Sequence, residues 1–217
     1  MTPRSAAPSP GGLSEDQIAG EPMTQFARWM ADALAAGLPE PTAMMLSTVT
    51  EQGRPRARTV LLKAHDQAGF TFYSNRTSRK GRELAGNPAA CLVFPWYGIE
   101  RQVIVEGKVR ELSQAESEPY YRSRPRLSQI GAWASRQSTV IASRAVLDDR
   151  VAELERRWPE PEQIPMPDFW GGYLLEPDAV EFWQAGAFRL HDRLRYRRAE
   201  RGAGGVGKGW TVDRLSP

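Results

Sequence analysis

A chain of 217 residues and 24.3 kDa, 41% hydrophobic and 25% charged, has the size and composition of one globular domain, which excludes disordered and fibrous classes. The net charge of +3 and pI of about 9.2 come from Arg dispersed among acids, as in RKGRELAG and EGKVREL, so small phosphorylated ligands explain the bias without a polynucleotide partner. No run of about 18 apolar residues suggests a membrane span, and the lone Cys91 permits no internal disulfide, so a reducing cytoplasm is the expected location.

Residues 1–20 are rich in Pro, Gly, Ser and Ala without periodicity or an apolar leader core, and are expected to form a flexible arm. From Pro22, the spacing of Phe26, Trp29, Met30, Ala33 and Leu34 predicts an amphipathic helix closed by Gly37. The period then changes. AMMLSTVT, ARTVLLKAHD and FTFYSN, separated by turns, predict three consecutive strands in an antiparallel meander. SRKGRELAGN predicts a short helix capped by Ser78, and AACLVFPWY and RQVIVEGKVREL predict two more strands. Cys91, inside AACLVF, is expected as a buried small hydrophobe. Ser113 and Glu116 fit a capping box, so SQAESEPYYRSR should be a helix with Tyr120 and Arg124 four apart on one face. A further helix follows around SRAVLDDRVAELERRW, then strands at FWGGYLLEP, AVEFWQ, RLRYRRA and GWTVDRL. These elements predict a mainly β protein, a barrel with peripheral helices; no βαβ repeat is present.

Several chemistries fall away. The run from Gly202 to Lys208 matches a phosphate-binding loop only up to its lysine; Gly209 follows where Ser or Thr is needed, and no helix has room to form, so a hairpin loop is expected. His65, His191 and one Cys are too few for zinc, and no G-x-S-x-G elbow supports a serine nucleophile. What remains is a set of phosphate-suited clusters: residues 58–63, Ser78 to Lys80, Tyr120 with Arg124 and Ser128, Gln137 with Ser138, and Arg189 to Arg193. Strand alternation places Arg58 and Lys63 on opposite faces.

The blocks RTVLLK, FYSNRTSRKGREL, FPWYGIERQVIVEGKV, YYRSRPRLSQIGAWASRQS and VEFWQAGAFRLHDRLRY resemble the pyridoxine/pyridoxamine 5'-phosphate oxidase family in the right order, from about Pro22 to Pro217. E-F-W-Q followed after four residues by R-L-H-D-R is the most specific of these. The resemblance implies an FMN-binding split β-barrel over residues 21–217, working as a homodimer with each flavin held by both subunits. It implies flavin contacts at Arg58, Thr59, Val60, Leu61, Leu62, Lys63, Tyr73, Ser74, Arg79, Lys80, Gln102, Gln137, Ser138, Trp183 and Arg193. Substrate contacts fall on Lys63, Tyr120, Arg124, Ser128, Arg189, Leu190 and His191.

The implied reaction is oxidation of pyridoxamine or pyridoxine 5'-phosphate to pyridoxal 5'-phosphate, with O2 as acceptor and H2O2 released. Two phosphates, one on flavin and one on substrate, call for two clamps. Arg58, Arg79 and Lys80 suit the first; Lys63, at the junction, with Tyr120, Arg124 and Ser128 suits the second. Arg189 and His191, two apart and read as sharing strand parity, are expected to face the pyridine ring, aligning it and assisting proton removal. Three features depart from the family pattern. The residues ahead of Gly11-Gly12-Leu13 lack the usual basic and aromatic lid, Ala187-Phe188 replaces more polar residues, and residues 201–208 form an extended loop. The alternatives are a related phenazine-type flavin oxidase and a non-catalytic flavin-binding protein.

Overall fold

The computed structural model describes residues 12–199 and 209–217. The glycine-rich run that breaks off as a phosphate loop, the extended loop at 201–208 and the start of the arm lie outside them.

Among the described residues five α-helices accompany nine strands, besides two short 3-10 turns: α1 Pro22–Ala35, β1 Ala43–Val49, β2 Pro55–Leu61, β3 Ala64–Asp66, β4 Gly69–Asn75, α2 Arg79–Gly86, β5 Ala89–Trp96, β6 Arg101–Glu111, α3 Gln114–Ser123, α4 Arg126–Ala134, α5 Ala145–Arg157, β7 Trp170–Gln184, β8 Asp192–Arg198 and β9 Trp210–Arg214. All strand pairs are antiparallel, in the order β2-β1-β5-β6-β7-β4-β3, with β8 and β9 continuing from β7. The expected meander is therefore corrected: β4 does not lie beside β1 or β2 in the ladder but pairs with β7, Phe72 opposite Tyr173. Local hairpins explain β1–β2 and β3–β4, whereas β4 finds its neighbour across a hundred residues. The strand expected over ARTVLLKAHD is two strands, broken at Leu62 and Lys63, where the Lys63 amide donates to Thr71 O. FWGGYLLEP and AVEFWQ, conversely, are one continuous strand.

Alternating burial along β1 and β5 sends Leu46, Leu92 and Phe94 inward. α1 closes one end of the barrel: Phe26 is fully buried and meets Phe70 at 4.8 Å and Phe94 at 4.9 Å edge-on. Truncating such a ring to Ala costs about 3–5 kcal/mol. Leu34, expected on that apolar stripe, is instead exposed. The Ser78 cap and the Ser113–Glu116 capping box both form. α4 has no counterpart among the expected elements; with α5 it builds a second small core from Ile130, Trp158 and Ile164.

The arm reading is corrected for residues 12–20. Leu13 is 7% exposed, its amide donates to Asp192 Oδ2 at 3.0 Å, and the Tyr196 hydroxyl donates to Ala19 O at 2.6 Å. Cys91 is half-buried rather than buried, with its thiol pushed up to about 11, first by burial and then by Glu106. No helix of the described residues is long and apolar enough to cross a membrane.

Candidate functional site

Two neighbouring cavities collect many of the expected binding residues. The larger, about 710 Å³, is lined by Arg56, Ala57, Arg58, Arg79, Lys80, Gln137 and Ser138. Its cations come from separate elements. β2 carries Arg56 and Arg58, and the first turn of α2 carries Arg79 and Lys80, where the positive end of the helix adds to their field. The loop after α4 supplies Gln137 and Ser138. Gln137 Oε1 accepts from Lys80 Nζ at 2.7 Å and from the Ser74 hydroxyl at 3.1 Å, tying β4, α2 and the loop together. Ser138 adopts φ +71°, a conformation that costs a non-glycine residue about 1–3 kcal/mol. There its Oγ accepts from the Arg79 amide at 3.2 Å.

The charge balance of this cleft favours an anion. No acid is among its lining residues, and the Lys80 ammonium is pulled below its usual range, first by burial and next by Arg58. Arg58 is held from behind: it donates to Leu46 O, to Thr48 Oγ1 at 2.6 Å and to Glu83 Oε2 at 2.9 Å. A phosphate offers several oxygens to such a set of donors.

The smaller cavity, about 300 Å³, shares Gln137 and is lined also by Tyr73, Ser74, Arg124, Ser128 and Trp170. Tyr120 stacks on Tyr73 at 4.1 Å, and Tyr73 stacks on Trp170 at 5.3 Å. Arg124 lies over Trp170 at 4.8 Å, and its Nη1 is buried without a partner. A buried guanidinium nitrogen with no acceptor costs free energy that an arriving anion recovers. Burial is also the first cause that lowers Arg124 from its usual range. The sequence placed Tyr120 and Arg124 on one helical face. The structure brings them together differently: α3 ends at Ser123, Arg124 is extended, and Trp170 is the surface on which both converge. Lys63 is exposed and is not among the residues that line either cavity.

The remaining expected residues form a second group. Gln102 of β6 pairs with Trp183 of β7, which pairs with Arg193 of β8. Trp183 packs on His191 at 4.7 Å between ring centres. The Arg193 fork is engaged by both Glu181 oxygens and by Ser216 O. Arg189 and Leu190 are exposed in the turn between β7 and β8, where Phe188 and Arg189 have φ +55° and +64°. The expected shared strand parity of Arg189 and His191 is therefore wrong: both precede β8, and a turn orients them. His191 Nδ1 accepts from the Gly186 amide at 3.2 Å, so the neutral ring carries its proton on Nε2. Of the flavin set, Thr59, Val60 and Leu61 sit on β2 and Leu62 in the break after it, with Thr59 exposed and Leu62 buried.

Trp170 and Trp183 mark the two groups at opposite ends of β7. They are thirteen positions apart along the strand, roughly 40 Å of path at about 3.3 Å per residue. Arg56, Glu83, Thr48 and Trp170 are site residues that sequence reasoning missed. For Trp170 the available signal was an aromatic opening a strand beside two glycines.

Comparison with known proteins gives a consistent result. A family profile described as pyridoxamine 5'-phosphate oxidase matches residues 30–157, and one described as pyridoxine 5'-phosphate oxidase C-terminal dimerisation region matches residues 170–217. A relative from Frankia alni named pyridoxine/pyridoxamine 5'-phosphate oxidase is 55% identical over 212 residues, 95% of this chain and 85% of its own. One of the same name from Burkholderia vietnamiensis is 51% identical over 96% of this chain and 95% of its own. Among solved structures, PhzG from Burkholderia lata, in complex with tetrahydrophenazine-1-carboxylic acid, is 33% identical with a TM-score of 0.86, covering 96% of this chain and all of that one. A pyridoxamine 5'-phosphate oxidase-related, FMN binding protein from Nostoc punctiforme, 16% identical with a TM-score of 0.69 over 88% of this chain and 97% of its own, shares the fold.

Proposed function

The chain belongs to the pyridoxine/pyridoxamine 5'-phosphate oxidase family, and from that premise we propose that it oxidises pyridoxamine and pyridoxine 5'-phosphates to pyridoxal 5'-phosphate with FMN and O2 in the cytoplasm. Residues 21–217 make one split-barrel oxidase domain, with residues 12–20 docked on it. The observation that carries the substrate is the second anion pocket, where the unpartnered Arg124 Nη1 lies beside Ser128 and the Tyr73–Trp170 stack. A flavin phosphate needs only one clamp; a phosphorylated substrate needs another.

The residues present fit FMN. The larger cleft opposes four cations to the phosphate, and its strained Ser138 holds the α2 amide end in place. Bound there, FMN would supply a two-electron acceptor for the substrate's C4' carbon, with O2 carrying the two electrons and two protons away as H2O2; from the C4' amine, water would enter and ammonia leave to give the aldehyde. Arg58, Arg79 and Lys80 hold the phosphate end of the cofactor. Arg124, Ser128 and Tyr120 fix the substrate phosphate, and the fixed phosphate orients the ring. His191, through Nε2, contributes a hydrogen-bond donor to the pyridine nitrogen or to the hydroxyl on the ring, and Arg189 contributes charge. The roughly 40 Å of strand between the two residue groups supports a site completed by a second copy, in which one subunit's phosphate clamps meet the other's Arg189–His191 turn. A dimerisation profile over residues 170–217 covers that turn.

The test is direct. Purified protein should carry a flavin absorbing near the visible blue, and it should form aldehyde and peroxide from both phosphates but not from the dephosphorylated vitamers. Absence of aldehyde from either phosphate overturns the proposal. Turnover of a reduced phenazine carboxylate in their place would assign the chain to the phenazine-type reading instead.

A further inference from the structure

Glu83 lies on α2 behind the cationic cleft and is only 9% exposed. Its Oε2 accepts from the Thr48 hydroxyl at 2.5 Å and from Arg58 Nη2 at 2.9 Å. Its Oε1 stands 3.4 Å from Arg56 Nη1 yet has no hydrogen-bond partner. A carboxylate this deep is retained when charges around it require it. Those charges are Arg56 and Arg58 on β2, with Lys80 on the same helix, and together with Arg79 they line the cleft. Lys80 registers the balance: Arg58 disfavours its ammonium and Glu83 favours it.

We propose that Glu83 is an internal counter-ion of the phosphate cleft, stabilising the empty cation cluster and holding its affinity for a phosphate monoester below what four cations would otherwise give. The inference rests on the assignment of this cleft to the FMN phosphate. A competing role, in which Glu83 serves chiefly to aim Arg58, predicts the opposite sign, and the geometry distinguishes them. Arg58 is also anchored by Thr48 Oγ1 at 2.6 Å and by Leu46 O at 3.2 Å. A Gln at position 83 keeps a carbonyl acceptor for Thr48 and Arg58. What it removes is the negative charge. Arg58 then stays in place, and both it and Arg56 turn their full charge toward the ligand.

The experiment compares wild type with Glu83→Gln and Glu83→Asp as full-length protein stripped of flavin, titrated with FMN and with riboflavin, which lacks the phosphate. Glu83→Gln should bind FMN roughly 5- to 50-fold more tightly, since a buried unit charge near a dianion is weakly screened. Its riboflavin affinity should be unchanged and its flavin-free Tm lower. Glu83→Asp, which keeps the charge, should bind FMN within about twofold of wild type. FMN binding by Glu83→Gln that is unchanged or weaker overturns the inference. If that variant folds only when loaded, FMN release from the holoenzyme is measured instead: slower release than wild type supports the inference, and equal or faster release overturns it. A wild type that binds riboflavin as tightly as FMN removes the phosphate assignment and the inference together. A wild type selective for FMN beside an indifferent Glu83→Gln removes the inference alone.

Discussion

The guanidinium of Arg124 lies over the Trp170 ring at 4.8 Å while its Nη1 is buried with no acceptor. The indole fixes the plane of the guanidinium, and the empty Nη1 fixes where an anion is wanted. Replacing Arg124 with Ala removes a charge-assisted contact worth about 1.5–3 kcal/mol, which corresponds to roughly 10- to 150-fold in KM for the phosphorylated substrate. FMN content should stay near normal, because the larger cleft is intact. Steady-state kinetics alongside flavin absorbance check this; loss of flavin would show that Arg124 serves the cofactor phosphate.

Gly186 opens the turn that carries Arg189 and His191, and a Cβ there would stand 1.9 Å from the Leu190 carbonyl oxygen. The Gly186 amide also donates to His191 Nδ1, so any shift of this residue rotates the imidazole. Gly186→Ala should therefore lower kcat/KM by roughly 100-fold, the effect of an ångström-scale misplacement, with the far ultraviolet circular dichroism unchanged. A variant with wild-type kcat/KM would show that the turn does not set the geometry of the reaction.

β1 and β5 were legible through an alternation of period two and the other strands through β-branched and aromatic runs between turns, and Ser78 and Ser113 announced their helices through cap chemistry. Their order was not. Phe72 of β4 meets Tyr173 of β7 through a pairing that closes over a hundred residues, and no local pattern encodes it. α4 escaped notice because RLSQIGAWA is nine residues long, with no side-chain cap and a glycine inside. The site shows the same division. Arg58, Arg79, Lys80, Gln137 and Ser138 do meet, but Glu83 reads in RKGRELAG as a solvated helix charge, and it is buried where α2 meets Thr48 of β1 and Arg58 of β2. Phe188, Arg189 and Ser138 take positive φ without being glycine, so the turn geometry at Arg189 has no sequence signature and strand parity was assumed there instead.

Arg214 grips residues 13–15 beside the turn between β7 and β8. It donates to both Glu15 oxygens at 2.8 Å, to Leu13 O at 2.8 Å and to Asp192 Oδ1 at 2.6 Å. The hydrogen bond from Arg214 holds the Glu15 carboxyl down at about 2, from the ordinary 4.5. A depressed carboxylate contributes its stabilisation above its unfolded pKa and loses it as pH falls through the folded one. This contact should thus persist from neutral pH to about pH 3 and disappear near pH 2. A carboxyl titration by NMR checks it: Arg214→Gln should return the Glu15 midpoint toward 4.5, whereas an unmoved midpoint would place the cause elsewhere.

A site shared between subunits has a consequence that no single-chain site reproduces. Arg124 belongs to the group at the Trp170 end of β7 and Arg189 to the group beyond its Trp183 end. Arg124→Ala and Arg189→Ala homodimers are each defective at both sites. In a mixed dimer of the two chains, one site collects both defects and the other receives a native Arg124 and a native Arg189. Random exchange makes half of the dimers mixed, and half of their sites whole, so the mixture should recover about a quarter of wild-type activity. Co-refolding the two impaired variants and assaying aldehyde formation at substrate well below the KM of the wild type measures this. If each chain instead builds its whole site alone, every site in the mixture carries one defect, and activity stays at the level of the parents.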